Sequence, residues 1–428
     1  MNANNAALPH IVVINRWREQ YARYAAYLDH TTHQVSYITT EVGLPSVPEA
    51  AGDILVVGRT DDLEAVRAAL RVLAVRHGRP EAIVALKEDD LLIAAELREE
   101  WNCPGQRVGH LARFRDKYLM ATAVAEAGLD LPDFTLAGDG TSILEFGAKH
   151  GWPLILKPVM GSSSEGVVKL DGPEDVLTVD LADTPMMVQT FNPGRIYHVD
   201  GVFTGREIQH WRASRYVNTC LGFRSGDFLG SVEEDDEAVN RAIGESTADY
   251  LRALSGDPLV FHLELFVNDT PYGPRCSFLE VGARVGGAEI PFVWRELHGY
   301  DLMDAAFQLQ LQRPVPQGQM ASPEEIGGYL LIPAPGARPC RITEVTSMVG
   351  SAPGPYAEAL LEVGDILPLA DAYYEHVGGR FRFRGTTSRD VEQALVATAA
   401  AFRVSGVPAT PTDQAGAAQG QLAGASRG

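Results

Sequence analysis

The stretch that decides the fold is Leu154-Ile155-Leu156-Lys157-Pro158-Val159-Met160-Gly161-Ser162-Ser163-Ser164-Glu165-Gly166-Val167-Val168. An apolar run ends on a lysine, a small polar loop bounded by glycines follows, and a second apolar run begins. The pattern predicts a strand–loop–strand hairpin whose tip can fold over a polyanion. Gly161 and Gly166 permit backbone conformations that other residues resist. The loop N–H groups and the hydroxyls of Ser162, Ser163 and Ser164 are donors without bulk, and Lys157 supplies a point charge. A nucleotide triphosphate fits that combination, but so does a solvated glycine–serine turn. The lysine precedes the loop, so this is not G-x-x-x-x-G-K-[ST], and no G-x-G-x-x-G opens a helix here. The neighbouring sequence has to decide.

The chain has 428 residues, 45% hydrophobic and 21% charged, enough for two to four domains with a large core. Its net charge of -20 argues against nucleic acid and anionic membrane surfaces as partners. A local basic pocket for an anionic substrate remains compatible with that surface. Cys103, Cys220, Cys276 and Cys340 form no C-x-x-C pair, which disfavours a disulfide framework or zinc site and points to a reducing, cytoplasmic setting. Residues Met1 to His10 are polar and too short for a signal peptide, and no apolar run is long enough to span a bilayer.

In residues 1–110, short apolar runs (Ile11–Asn15, Val35–Thr39, Asp53–Gly58, Ala82–Leu86) alternate with helical spacing, as in Leu63, Val66, Leu70 and Leu73. This predicts a parallel α/β sheet. No glycine fingerprint follows its first strand, so dinucleotide binding is not expected. Residues 111–315 read as a second unit. It holds a helix over Arg113–Ala127, strands near 153–157, 167–170, 186–190 and 196–203, and a hairpin of Leu259–Val267 with Ser277–Val281. Residues 316–404 read as a third, α+β unit, and the Ala-, Gly- and Pro-rich 405–428 as a disordered tail.

Within the hairpin, alternation puts His262 and Glu264 on one face, and a turn centred on Tyr272 sets Glu264 opposite Glu280. Facing side chains lie about 5 Å apart, where like charges destabilise a sheet. A cation or a shared proton resolves the conflict, and magnesium favours carboxylates plus substrate phosphates. A shifted register with two solvated glutamates is the alternative. His262 beside Glu264 is expected to line the same site. Arg284 follows in a glycine-rich turn, where its fixed donors can steady a transferring phosphoryl group or an oxyanion.

Five features now stand in order: Arg113-Phe114-Arg115-Asp116-Lys117, Lys157 with its loop, Met187-Val188-Gln189-Thr190-Phe191, Glu264, and Glu280 through Arg284. In this the chain resembles the ATP-grasp superfamily, and within it the L-amino-acid ligases and related carboxylate–amine ligases, over about residues 8 to 404. The resemblance implies an α/β ATP-grasp fold with α+β lobes. A Rossmann-like pre-ATP-grasp domain would precede a catalytic domain whose lid covers about 151–192, and an α+β domain would follow. It implies that Lys117 and Lys157 contact the ATP phosphates and that Gly161 to Gly166 form a mobile lid. Gln189, Thr190 and Phe191 would face adenine and ribose. Glu264 and Glu280 would hold Mg2+, with Mn2+ as a substitute, and Arg284 would touch the transferred phosphate and the activated carboxylate. Arg215 would be a further basic contact. The small residues Gly286 and Gly287 either leave space for a bulky acyl donor or simply pack tightly.

The sequence departs from the family pattern at Gln189-Thr190, where paired acids are common, at Arg195-Ile196 after Gly194, and at Gly282 in place of asparagine. The implied activity is ADP-forming ligation of a carboxylate to an amine through an acyl phosphate, on small-molecule substrates, in a protein compatible with a homodimer. Bicarbonate activation and a catalytically degenerate nucleotide-binding module are the competing readings.

Overall fold

A computed structural model describes residues 8–18, 21–161, 164–179, 181, 184–316, 325–336, 338–368 and 377–409. In the N-terminal unit four parallel strands lie in the order Asp53–Val56, Gln34–Thr39, His10–Asn15, Ala82–Ala85. Alternation along the second-to-last of these buries both faces. Ile11 and Val13 enter one core while Val12 and Ile14 enter another with Leu70 and Leu73. Helix Leu63–His77 starts where the Asp62 carboxylate accepts from the Glu64 and Ala65 N–H groups, and ends at Gly78 with φ 88°.

The quoted hairpin forms as the pattern predicts. Leu154–Pro158 pairs antiparallel with Val168–Leu170, and Met186–Thr190 and Phe134–Ala137 complete a four-stranded lid sheet. Leu154 and Leu156 pack with Val188 on Ile143 and Phe146 of helix Gly140–His150. Lys157 alternates to the opposite face, opposite Met187, so the side chain that breaks the apolar run is the one the pleat turns away from that core.

Facing the lid is an antiparallel sheet of eight strands in the order Gly273–Gly282, Leu259–Thr270, Arg195–Phe203, Ile208–Tyr216, Leu229–Glu233, Ile326–Pro333, Val377–Gly385, Ala357–Leu360. The last three strands belong to the region expected as a separate C-terminal unit, so the chain divides near 315 but the sheet does not. The disordered tail expected from residue 405 needs correction. Val404–Pro408 is a strand paired with Cys340–Val345, because Val404 reaches the small core of Ala334, Cys340 and Ile342. Residues 410–428 lie outside the described residues.

Two strands of the large sheet, Ile208–Tyr216 and Leu229–Glu233, and helix Glu237–Leu254 went unread in the sequence. The first reads IQHWRASRY, with too few apolar residues and a bulge between Gln209 and Arg212. The helix did carry a signal, since Val239, Ile243, Tyr250, Leu251 and Leu254 are buried at helical spacing. Among the described residues, no helix is long and apolar enough to cross a membrane.

One core joins all three sequence units. It includes Val13 and Tyr24 from the first, Phe307 and Trp294 from the second, and Tyr329 and Val377 from the third. Phe307 is fully buried, with its ring 5.9 Å from Tyr24 and 5.7 Å from Tyr27. Phe307→Ala is expected to cost about 3–5 kcal/mol. Urea denaturation followed by fluorescence and circular dichroism should show the two signals falling together. A probe-dependent pair of transitions would mean the N-terminal unit folds apart from the rest.

Candidate active site

The site lies between the lid sheet and the large sheet, and its cations arrive from three directions. Lys117 opens helix Lys117–Glu126, whose N-terminus is capped by Asp116 accepting from Tyr118 and Leu119 N–H groups at 2.9 Å. Its Nζ donates to the Gly161 carbonyl at 2.7 Å and lies 3.7 Å from Glu280 Oε2. It therefore ties the base of the lid loop to the large sheet. Lys157 is 4% exposed. Burial pulls its ammonium down to about 8, against the opposing charge of Glu280 and with help from Lys117.

The loop geometry explains its glycines. Gly166 has φ 68°, and a Cβ there would stand 2.9 Å from Pro158 Cγ. Gly161 and Ser164 also have positive φ. Ser162 and Ser163, singled out from the sequence, lie outside the described residues.

Glu264 and Glu280 pair directly across the hairpin. The route differs from the simple expectation. The turn is tight at Pro271-Tyr272, pairing runs from Thr270↔Gly273 to Leu265↔Phe278, and a bulge at Leu279 then brings Glu280 opposite Glu264. Glu264 Oε1 accepts from Tyr216 Oη at 2.7 Å and lies 3.7 Å from His262 Nε2. Burial pushes the Glu264 carboxyl up, but His262 and Tyr216 outweigh it and leave the group below its ordinary range.

His262 owes its charge to a residue the sequence reading missed. Burial lowers its imidazole, but Asp200 Oδ1 at 2.9 Å from Nδ1 more than compensates, and the pKa is raised to about 9. Asp200 Oδ2 takes His198 Nδ1 at 2.6 Å. His198, Asp200 and His262 offer ligand atoms within 4.8 Å of one another. The separations of 2.6 and 2.9 Å are those of hydrogen bonds, so the trio is a carboxylate shared by two imidazoles.

Arg284 bonds Glu88, which also takes Arg115 Nη1 at 2.6 Å. Burial pushes the Glu88 carboxyl up, yet the two guanidiniums hold it at about 2. Glu88 follows the edge strand Ala82–Ala85, so it meets Arg284 at the carboxyl end of the N-terminal sheet. A cavity of about 40 Å³ between these groups is lined by Glu88, Arg115, Lys117, Gly161, His262, Glu280 and Arg284. A larger hollow of about 440 Å³ beside Tyr27, His30 and Arg313 shares none of these residues and lacks the paired carboxylates.

The structure thus gathers Lys117, Lys157, Gly161, His262, Glu264, Glu280 and Arg284. Other candidates are placed elsewhere. Arg215 pairs with Glu392 at 2.7 Å, while its neighbour Tyr216 faces Glu264, so alternation puts Arg215 on the far face of the sheet. Thr190 stands opposite Leu154 and shares its helix-packed face, whereas Gln189, opposite Ile155, shares the face of Lys157. Phe191 is half-exposed beneath Lys169 Nζ at 5.2 Å. The two glycines separate as well. A Cβ on Gly286 would come within 2.8 Å of His262 Nδ1 and closer still to Asp200 Oδ1, so this glycine makes room for packing. Gly287 has nothing within 4 Å in that direction.

No family model matches the chain. It is 22% identical to the L-arginine-specific L-amino acid ligase of Bacillus subtilis over 346 residues, covering 78% of this chain and 82% of that protein. It is 23% identical to dapdiamide A synthase of Enterobacter agglomerans over 244 residues, 52% of this chain and 56% of the relative. The L-amino acid ligase of Bacillus licheniformis superposes with a TM-score of 0.73 at 18% identity, over 95% of this chain and all of that one. The chain has the ATP-grasp fold. A carboxyaminoimidazole ribonucleotide synthase from Aspergillus clavatus, solved with ATP, has the same ATP-grasp architecture at a TM-score of 0.66 and 15% identity, over 93% of this chain and all of that one.

The donor set of this ATP-grasp site fits magnesium. Two carboxylates face each other in register, one oxygen of each is engaged by a protein donor, and two phosphate-compatible lysines adjoin them.

Three outcomes follow. A bound polyphosphate favours charged Lys157, so nucleotide binding must take up a proton as pH rises through about 8. Calorimetry of metal-free ADP binding in buffers of different ionisation enthalpy should show uptake near zero at pH 7 and approaching about one proton at pH 9. The free protein should gain stability over the same rise toward the ordinary lysine range, because the unfolded chain holds that proton longer. Gly286→Ala should destabilise by about 1–3 kcal/mol in urea titration, whereas Gly287→Ala should stay within about 0.5 kcal/mol of the parent.

Proposed function

We propose that this chain is an ATP-dependent carboxylate–amine ligase that makes a dipeptide or a related amide, with ADP and phosphate as the other products. The carrying observation is the convergence of Lys117, Lys157 and Arg284 on the facing pair Glu264 and Glu280 between two sheets. The likeness to amino acid ligases along most of the chain supports the same reading.

A carboxylate is a poor electrophile. Transfer of the γ-phosphoryl group of ATP to one of its oxygens makes an acyl phosphate and releases ADP. An amine then attacks the acyl carbon, the C–O bond to phosphate breaks, and the amine proton leaves to solvent or phosphate. Lys117 and Lys157 offset charge on the phosphates as it shifts toward ADP. Arg284, held by Glu88, presents a fixed fork to the carboxylate and the transferred group. Magnesium on Glu264 and Glu280 would neutralise the triphosphate. Lys117, donating to the Gly161 carbonyl, holds the base of the loop where closure would exclude water that hydrolyses the intermediate. Cys103, Cys220, Cys276 and Cys340 are free thiols, which suits a cytoplasmic enzyme.

With Mg-ATP and pairs of amino acids, the purified protein should release ADP and phosphate only when a carboxylate and an amine are both present. Release of AMP and pyrophosphate, or amine-independent release driven by bicarbonate, would contradict the reading. Lys157→Ala should lower turnover by about 10²–10³-fold while melting like the parent.

A further inference from the structure

The large sheet carries a polar ring that is buried in part beneath the site and enters it through His262 and Glu264. His198 and Asp200 stand on Arg195–Phe203, His262 and Glu264 on Leu259–Thr270, Tyr216 on Ile208–Tyr216 and Ser231 on Leu229–Glu233. Strand register makes them neighbours: Asp200 pairs across with His262, His198 with Glu264, and Tyr216 with Ser231. Each Asp200 oxygen serves one imidazole, at 2.6 Å to His198 and 2.9 Å to His262. His198 spends its other nitrogen on Ser231 Oγ at 2.6 Å, and its ring lies tilted against that of Tyr216 at 5.0 Å. The free ends of the ring meet at one atom, Glu264 Oε1, which takes the Tyr216 hydroxyl at 2.7 Å and faces His262 Nε2 at 3.7 Å.

A buried carboxylate between two histidines is expensive to maintain, and here Gly286 is also kept free of a side chain to admit it. Asp200 and His198 are 1% and 2% exposed, so they act only through what they hold. Groups that bond a metal-ligating carboxylate orient it, and their loss weakens metal affinity by about 10–100-fold.

We propose that Asp200 and Tyr216 are positioning residues that fix the Glu264 carboxylate for a divalent cation, and so set cation affinity rather than nucleotide affinity. The proposal rests on the reading of Glu264 as a cation ligand. Without Asp200 the His262 ring loses its anchor, and without the Tyr216 hydroxyl Glu264 Oε1 loses its direct donor.

The test is Mn2+ binding to the full-length protein, followed by the loss of the free-ion electron paramagnetic resonance signal in the presence of ADP. Metal-free ADP binding and thermal melting are measured alongside. Asp200→Asn and Tyr216→Phe should each weaken Mn2+ binding about 10–100-fold with metal-free ADP affinity unchanged. Should Asp200→Asn fail to fold, Tyr216→Phe decides alone. Glu264→Gln separates the two levels. Loss of Mn2+ in Glu264→Gln with near-parental affinity in the ring variants overturns the positioning role and leaves the cation reading standing. Parental Mn2+ affinity in Glu264→Gln overturns both.

Discussion

Everything in the site is arranged around two glutamates that a sheet would ordinarily keep apart. Glu264 and Glu280 face each other across a hairpin whose opposite face packs Leu263, Leu265 and Phe278 into a core. Their repulsion is tolerable because cations surround them: His262, held charged by Asp200, on one side, and Lys117 and Lys157 on the other. Burial lowers the Lys157 ammonium, with a smaller push from Lys117, by more than Glu280 and Glu264 restore.

The same charges couple the units. Arg284 of the large sheet, Glu88 at the end of the N-terminal sheet, Arg115 before the capped helix, and then Asp89 and Arg16 form an alternating chain. Arg115 reaches Asp89 at 3.2 Å, which ties this chain of ion pairs to the N-terminal unit. Lys117 does the equivalent for the lid by holding the Gly161 carbonyl. A shared apolar core beneath these ladders joins strands of the large sheet to the N-terminal sheet.

How much of this was legible follows from how each residue makes itself known. Lys157, Glu264 and Glu280 stand out because a charge inserted into an apolar strand has few bland explanations. Glu88 sits in the charged run Lys87 to Asp90, which reads as an ordinary helix start, and its partner Arg284 is 196 residues away. Only tertiary approach reveals it. Arg215 illustrates the opposite error. The resemblance implied a further basic contact there, but one step along a strand reverses the face, and Tyr216 holds the inward position. His198 and Asp200 were hidden in a strand read as apolar, although two polar residues at a spacing of two in a buried strand are themselves a signal. At the C-terminal end, composition implied disorder from residue 405, while pairing with Cys340–Val345 carries the chain in order to Pro408.

The central claim is that a carboxylate is activated here by phosphoryl transfer. The most direct measurement uses a carboxylate donor labelled with 18O in both oxygens, with unlabelled ATP and amine, and mass analysis of the released phosphate. The account predicts one 18O atom in each phosphate and one retained in the amide product. Unlabelled phosphate, or label recovered in AMP, would contradict it.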